Sequence, residues 1–367
     1  MNVTSGVSLS AHFPISYADG RGKFLAAAAE LGVAVRSHVH PTQRGAEGEP
    51  LAIDVLRLGR EDSESVLLLS SGTHGVEGFC GSGCQVALLH DEDLIQRVRS
   101  GRTALLMVHA INPYGFSHVR RVNEDGVDLN RNFRSFDRAL PDRPAYLELH
   151  PLLMPEHWPP SPQNEAAIVA YIQAHGMRRF QRALTEGQGV CPDGLFYAGT
   201  APTWSNTTLR SILRTELARA RQVVWIDIHT GLGPSGHGEK LHGGREDADE
   251  LRRTRACFGA DVFSAEEGDA VAEPVLGLMT QCLPVECPHV TPIAIGLEFG
   301  TVDMSISLPA LRAEQWLAAH PQAPAAQHRA IKQALRDAFY VDTPEWRGSV
   351  LGQTRAAVRQ ALKWLSA

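Results

Sequence analysis

The sequence predicts a mixed α/β domain built on an open, largely parallel β-sheet. Two runs, "SVLLLSSG" (65–72) and "TALLMVHAINP" (103–113), are apolar without alternation, as expected for strands buried on both faces of a sheet. The segment between them has helical periodicity, and the order strand, helix, strand is typical of a parallel crossover. A chain of 367 residues is long enough for a large core, and its sequence contains no repeat or low-complexity linker.

The other elements follow in chain order. Residues 20–35 have the pattern of an amphipathic helix that ends at a glycine, and residues 51–59 are rich in strand-forming side chains. Residues 81–101 are predicted to be one helix, and the proline-rich residues 137–162 an irregular surface excursion. The remaining predictions are helices at 163–176 and 207–222, buried strands at 223–231 and 291–301, a glycine-rich loop at 231–240, and C-terminal helices over about 305–367.

Composition and charge exclude several classes of function. The chain is 43% hydrophobic and 21% charged, with a net charge of −6, so we expect neither nucleic acid nor an anionic membrane as a partner. No apolar run approaches the ~18 residues of a membrane span, and the first 20 residues lack the features of a secretory signal. The six cysteines include no Cys-x-x-Cys pair, which favours reduced, buried thiols in a cytoplasmic protein.

Polar side chains follow four separate apolar strands. His74 and Glu77 come after residues 65–72, Asn112 follows the next strand, Asp227 and His229 end the strand "VVWIDIHTG", and Glu298 ends "IAIGLEF". The carboxyl ends of parallel strands meet at one edge of a sheet, where ligands bind in such folds. We therefore expect these side chains to converge, although they lie far apart in the chain.

Two histidines and a carboxylate suit a zinc site that keeps a fourth position for water. His74, Glu77 and His229 supply this set, although a His-x-x-Glu pair alone is a weak motif and is also consistent with a chance pair in a turn. Asp128 is a candidate to hold a ligand imidazole in one tautomer. Burial should raise the pKa of Glu298, as a general base near neutral pH requires, and the alternative is a carboxylate paired with an arginine.

A cationic stretch, "RRVNEDGVDLNRNF" (120–133), follows the strand at residues 103–113. A guanidinium there could polarise a scissile carbonyl group or hold a substrate carboxylate in a bidentate fork. The charge pattern is equally typical of a solvated loop with internal salt bridges. The candidate side chains in this stretch are Arg120, Arg121, Asn123, Asp128, Asn130 and Arg131.

Together, "THGVEGF", "RRVNEDGVDLNRNF", "DIHTG" and "GLEFGT" resemble the zinc carboxypeptidase superfamily, which includes metallocarboxypeptidases and the aspartoacylase and succinylglutamate desuccinylase deacylases. The chain looks most like an uncharacterised bacterial branch known as a domain of unknown function, also through "FYAGTAPTWSNTTLR" (196–210). The resemblance implies a three-layer α/β/α sandwich around a mixed, mostly parallel sheet of about eight strands. We expect a single domain over residues 1–367, with an N-terminal helix-strand extension over about 1–60.

The resemblance also implies roles for individual residues. One zinc ion is expected per chain, with His74, Glu77 and His229 as ligands and Asp128 supporting a ligand histidine. Glu298 matches the general base, and Arg121 matches the arginine that polarises the scissile carbonyl group. Asn130 and Arg131 match the pair that binds the terminal carboxylate of the substrate.

One departure from the family bears on the substrate. Metallocarboxypeptidases have a substrate-capping tyrosine between the third ligand and the catalytic glutamate, but residues 230–297 contain none, and Tyr197 is the candidate to replace it. The expected activity is zinc-dependent hydrolysis of an amide bond next to a free carboxylate, with release of C-terminal residues from small peptides. Deacylation of N-acyl amino acids stays open, as does a carboxypeptidase-like protein that binds without catalysis.

Overall fold

A single eight-stranded sheet forms the centre of the molecule in the structure, a computed structural model that describes residues 9–245 and 247–367. The strand order is β1-β2-β4-β3-β5-β8-β6-β7. Strands β4, β3, β5 and β8 run parallel, whereas β1 and β2 pair antiparallel with their neighbours and β6 pairs antiparallel with β8. The predicted mixed, mostly parallel sheet of about eight strands is confirmed. The strands are β1 (Val35–Arg44), β2 (Pro50–Leu58), β3 (Ser65–Ser71), β4 (Thr103–His109), β5 (Gln222–Ser235), β6 (Gly238–His242), β7 (Val262–Phe263) and β8 (Thr291–Gly300).

Helices cover both faces of the sheet, which gives the predicted three layers. Alternate side chains of β3 divide between two cores: Leu67 and Leu69 belong to one, and Val66 and Leu68 to the other. The described helices, apart from short 3₁₀ turns, are α1 (Tyr17–Glu30), α2 (Gly78–Leu89), α3 (Glu92–Ser100), α4 (Pro113–Ser117), α5 (Leu129–Asn132), α6 (Pro144–Leu153), α7 (Pro162–His175), α8 (Met177–Thr185), α9 (Trp204–Glu216), α10 (Ala248–Phe258), α11 (Leu283–Glu286), α12 (Met304–Ala319), α13 (Ala325–Phe339) and α14 (Pro344–Leu365).

Two predicted helices have different bounds in the structure. Helix α1 ends at Glu30, and Gly32 has a positive φ of 65°, so the chain turns into β1 where the prediction continued the helix to residue 35. The single helix predicted over residues 81–101 is two helices. The carboxylate of Asp91 accepts a hydrogen bond from the N–H of Leu94 and thereby begins α3.

The predicted glycine-rich loop at residues 231–240 was wrong. Strand β5 continues to Ser235 and β6 begins at Gly238, and the two strands pair with opposite edges of β8. A Cβ atom on Gly300 would lie 2.0 Å from the carbonyl oxygen of Pro234, so the glycine allows a close approach between strands. Strand β1 was not predicted because most of its side chains are exposed and give no apolar pattern.

The proline-rich excursion is not entirely irregular, because residues 137–162 include helix α6. This helix buries Tyr146 and Leu149 against the core, and the hydroxyl group of Tyr146 donates to the carbonyl oxygen of Leu195. The helix was not predicted because its segment is rich in proline. Pro144 occupies the first turn of the helix, where a missing N–H is tolerated.

Two expectations from composition bear on the rest of the chain. All six cysteines are buried and free, as predicted. Over the two described ranges, none of the helices combines the length and apolar character needed to cross a membrane. The prediction about the first 20 residues falls partly on residues 1–8, which lie outside the described ranges.

Candidate metal centre and active site

The first half of the candidate site follows β3. His74 has extended backbone angles, and a 3₁₀ turn (Gly75–Glu77) then leads directly into α2. A Cβ atom on Gly75 would lie 2.0 Å from the backbone carbon of Gly115, so only glycine permits this turn to pack against α4. The glycine at this position therefore leaves room for the backbone of α4.

Three buried side chains point their donor atoms at one another. The Nδ1 atom of His74 lies 2.8 Å from one carboxylate oxygen of Glu77, and the Nδ1 atom of His229 lies 2.9 Å from the other. The ligand atoms of these three residues all lie within 4.8 Å of one another. The structure therefore brings together the three predicted ligands in an arrangement that could hold a metal ion.

The outer nitrogen of each imidazole ring contacts a carboxylate. The Nε2 atom of His74 lies 3.2 Å from Asp128, and the Nε2 atom of His229 lies 2.5 Å from Asp227. The Nε2 atom of His74 also lies 2.8 Å from the Nη2 atom of Arg121. A carboxylate at the outer nitrogen fixes the ring orientation and leaves the Nδ1 atom to bind a metal, and the contact of His229 with Asp227 has this arrangement. Asp227 was expected at this strand end but not as the partner of His229, although the pattern Asp-x-His on a strand places both side chains on one face.

A second layer of hydrogen bonds holds Asp227. The hydroxyl group of Ser70 donates to it over 2.6 Å, and the hydroxyl group of Thr73 donates over 3.0 Å. The indole N–H of Trp225 donates in turn to the oxygen of Ser70. These side chains come from β3 and β5, which are paired in parallel, so the sheet itself fixes the position of His229.

Electrostatics within the cluster favour charged side chains. Burial alone would raise the pKa of Glu77, but the two histidines outweigh burial and hold it below its ordinary value. Burial likewise opposes ionisation of Asp128, and Arg121 and Arg131 keep its pKa well below the usual range. Burial would lower the pKa of His229, but Asp227 and Glu77 raise it well above its ordinary value.

Arg121 adjoins the ligands directly. Its Nε atom donates to Asp128 over 3.0 Å, and its Nη1 atom donates to Glu77 over 3.3 Å. The guanidinium group also lies 5.0 Å from the ring centroid of Phe196, a residue with a positive φ of 54°. Arg120 has a different environment, because it pairs with Glu314 at 2.8 Å.

Asn130 and Arg131 lie on the short helix α5, which begins at Asp128. The amide oxygen of Asn130 accepts from the N–H of Met279. The Nε and Nη2 atoms of Arg131 donate to the carbonyl oxygen of Thr185, and its Nη1 atom donates to that of Asn130. Burial lowers the pKa of Arg131 to about 10. These bonds use three of the five N–H groups of the guanidinium.

Glu298 comes from β8, directly opposite His229 in the parallel register of β5 and β8. One of its oxygens accepts a hydrogen bond from the N–H of Leu232 over 3.0 Å. Burial, followed by the negative charge of Glu77, raises the pKa of Glu298 to about 8. A carboxyl group with this pKa can gain and lose a proton near neutral pH, as proton transfer requires.

A cavity of about 460 Å³ lies over these residues, within the range of roughly 300–1,000 Å³ typical of small-molecule sites. Of the residues to which the resemblance gave roles, all but Asp128 line it: His74, Glu77, Arg121, Asn130, Arg131, His229 and Glu298. The other candidates, Asn112, Arg120 and Asn123, do not line it. No tyrosine is found among the lining residues in the described ranges, so Tyr197 does not take the place of a capping tyrosine. Its neighbour Phe196 lines the cavity instead.

A family model described as "Protein of unknown function (DUF2817)" matches residues 13–353. The chain belongs to that family. The predicted membership of a domain-of-unknown-function family is thus confirmed. A comparison of this DUF2817 chain with curated proteins found no match.

Solved structures similar to the DUF2817 chain include carboxypeptidases and an aspartoacylase-family protein. Carboxypeptidase A from Helicoverpa armigera is 15% identical, with a TM-score of 0.47 over 98% of this chain and 77% of the other. Bovine thrombin-activatable fibrinolysis inhibitor is 13% identical, with a TM-score of 0.47 over 94% and 99%. An aspartoacylase family protein from Mesorhizobium loti is 17% identical, with a TM-score of 0.37 over 78% and 66%. The function proposed below rests on the site geometry.

Proposed function

We propose that the protein is a zinc-dependent hydrolase that cleaves an amide bond next to a free carboxylate. One observation carries this proposal: two imidazole Nδ1 atoms and a carboxylate face one another, and carboxylates hold the outer nitrogens. Two histidines and a glutamate are a ligand set of catalytic zinc sites, which keep one position for water. Zinc, when bound, would act as a Lewis acid and lower the pKa of a water molecule.

The residues around the ligands have complementary tasks. Glu298 takes a proton from the attacking water and later passes it to the leaving amine nitrogen. The charged N–H groups of Arg121 donate to the oxyanion that forms from the scissile carbonyl oxygen. Because Arg121 is held by Asp128 and Glu77, its guanidinium is in place before the substrate binds.

The carboxylate of the substrate is bound by Asn130 and Arg131, which line the same cavity. We propose small peptides as substrates, with release of the C-terminal residue. N-acyl amino acids present the same amide bond and carboxylate, so their deacylation is the alternative.

A hydrolysis screen of the zinc-loaded protein tests the proposal. The compounds are short peptides with varied C-termini, N-acyl amino acids, and the same compounds with the carboxylate converted to a carboxamide. We expect turnover only with a free carboxylate, and a fall in kcat of at least about 100-fold in Glu298→Gln. Full activity in Glu298→Gln would refute the assignment of the base, and equal turnover of carboxamides would refute the role of Asn130 and Arg131.

A further inference from the structure

The cavity extends in two directions from Glu298. In one direction, Gly296 lies on the same face of β8, two residues earlier, and its strand partner Leu241 also lines the cavity. Thr280 lies at this end, because its hydroxyl group donates to the carbonyl oxygen of Gly243. We call this part of the cavity the Gly296 end.

The Gly296 end adjoins the residues proposed to bind the carboxylate. The amide oxygen of Asn130 accepts a hydrogen bond from Met279, the immediate neighbour of Thr280. Two further polar residues also line the cavity: the cationic Arg245, and Gln281, which follows Thr280 in the chain. The leaving amine of a substrate, with its carboxylate, therefore belongs at the Gly296 end.

In the other direction, the cavity follows the carboxyl end of β8. Leu232 donates its N–H to Glu298 on this side, and Phe339 packs against the neighbouring Gly231. The chain leaves β8 at Gly300 and begins α12 at Met304, so α12 forms the wall here. The α12 residues that line the cavity are Met304, Ser307, Leu308 and Leu311.

The wall on this side is mostly apolar, and its polar residues are Ser307 and Gln181, whose amide nitrogen lies 3.7 Å from the sulfur atom of Met304. Leu184 and Phe196 also line the cavity, but they lie beside Arg131, which donates to Thr185 and is 5.4 Å from the ring centroid of Phe196. Leu308 and Leu311 are each 9% exposed, whereas Ile306 on the same helix is 56% exposed and does not line the cavity. We define the α12 wall as Met304, Leu308 and Leu311.

We propose that the α12 wall binds a bulky apolar group on the carbonyl side of the scissile amide bond. This inference rests on the proposed function. With the substrate carboxylate at the Gly296 end and the scissile bond beside Glu298, the carbonyl side of the substrate faces α12. The preferred substrates are carboxylate-bearing amides with an apolar acyl part, either a fatty acyl chain or an apolar residue before the C-terminal one. Each buried methylene group should tighten binding by roughly threefold to fourfold.

Calorimetry on the zinc-loaded Glu298→Gln variant tests the wall without requiring turnover. The probes are N-acetyl, N-butanoyl, N-hexanoyl and N-octanoyl derivatives of one amino acid, with a parallel set of dipeptides that begin with Gly, Ala, Leu or Phe. We expect Kd to fall at least about 10-fold from the smallest to the largest member of one set. The set that shows this fall identifies the source of the apolar group.

Two substitutions and a matched control locate the effect. In the Glu298→Gln background, the measured quantity is the ratio of the Kd of the smallest probe to that of the largest. Leu308→Ser and Met304→Ser should each reduce this ratio by at least about threefold. Met304 is only partly buried, so its variant remains informative if Leu308→Ser lowers stability. Ile306→Ser, on the exposed face of the same helix, should leave this ratio of Kd values unchanged.

The outcomes separate this inference from the proposed function. Equal Kd values across both probe sets would overturn the role of the α12 wall, even if the wild-type protein hydrolyses every probe. An equal loss in Ile306→Ser and Leu308→Ser would also overturn it. Absence of turnover in the wild type, together with a size-dependent Kd in Glu298→Gln, would contradict the proposed function and support the wall.

Discussion

Asp227 is the residue whose role depends most on the tertiary structure. The candidate ligands could be predicted from the sequence because His-x-x-Glu and a strand-terminal histidine have the right donor chemistry. The contact of Asp227 with the Nε2 atom of His229, and the hydroxyl groups of Ser70 and Thr73 that hold Asp227, depend on the pairing of β3 with β5. The environment of Arg131 also depends on the tertiary structure, because its hydrogen bonds to Thr185 join residues 54 positions apart.

Removing the charge of Asp227 should weaken metal binding. Asp227→Asn keeps the size of the side chain but loses the carboxylate that orients His229, so we expect zinc affinity to fall about 10- to 100-fold. Competition with a chromophoric chelator measures the Kd for zinc. Asp62→Asn is the control, because Asp62 is exposed and pairs with Arg60 on the surface. An unchanged Kd in Asp227→Asn would show that Asp227 does not position the ligand.

At the scale of elements, apolar runs predicted the buried strands β3, β4, β5 and β8. The pattern could not reveal β1, whose side chains are mostly exposed, or α6, whose prolines are tolerated at particular positions. Helix α6 is held in place by a buried side chain distant in sequence. Arg312 donates to the carbonyl oxygens of Leu152 and Leu153 at the end of α6, and to Asn164 and Glu165 in α7.

Loss of Arg312 should destabilise the molecule because the carbonyl oxygens of Leu152 and of the buried Leu153 would lose their donor. We expect Arg312→Met to lower the free energy of unfolding by about 3 kcal/mol, measured by urea denaturation. The side chain of Arg252 is 72% exposed and pairs with Asp249 on the surface. Arg252→Met should therefore change the free energy by less than about 0.5 kcal/mol. Equal effects of the two substitutions would contradict the structural role of Arg312.

For the molecule as a whole, the parallel sheet explains why the sequence could locate the site. Side chains that end β3, β5 and β8 meet at one edge, as parallel strands require. The cavity walls formed by α12 and by residues 264–278 could not be predicted from the sequence. Packing sets the position of these segments over the sheet, and packing leaves no periodic pattern in the sequence.

A buried histidine away from the site should make the whole fold sensitive to acid. Burial lowers the pKa of His109 from 6.5 to about 4, and its Nε2 atom lies 2.8 Å from the hydroxyl oxygen of Ser82. Between these two pH values the unfolded chain binds more protons than the folded one, so stability falls as the pH falls.

The contribution of His109 to this loss should be about 2 kcal/mol between pH 7 and pH 5. His109→Gln cannot titrate, so its free energy of unfolding should fall less over the same interval by that amount. Urea denaturation of both zinc-free proteins at each pH measures the difference. Parallel pH profiles for the two proteins would exclude His109 as the cause.

The most direct test of the central claim is a titration of metal-free protein with zinc, in which hydrolysis of a carboxylate-terminated amide is followed at each addition. Because His74, Glu77 and His229 form one site, activity should rise in proportion to added zinc and stop rising at about one ion per chain. Full hydrolytic activity in the metal-free protein would contradict the account.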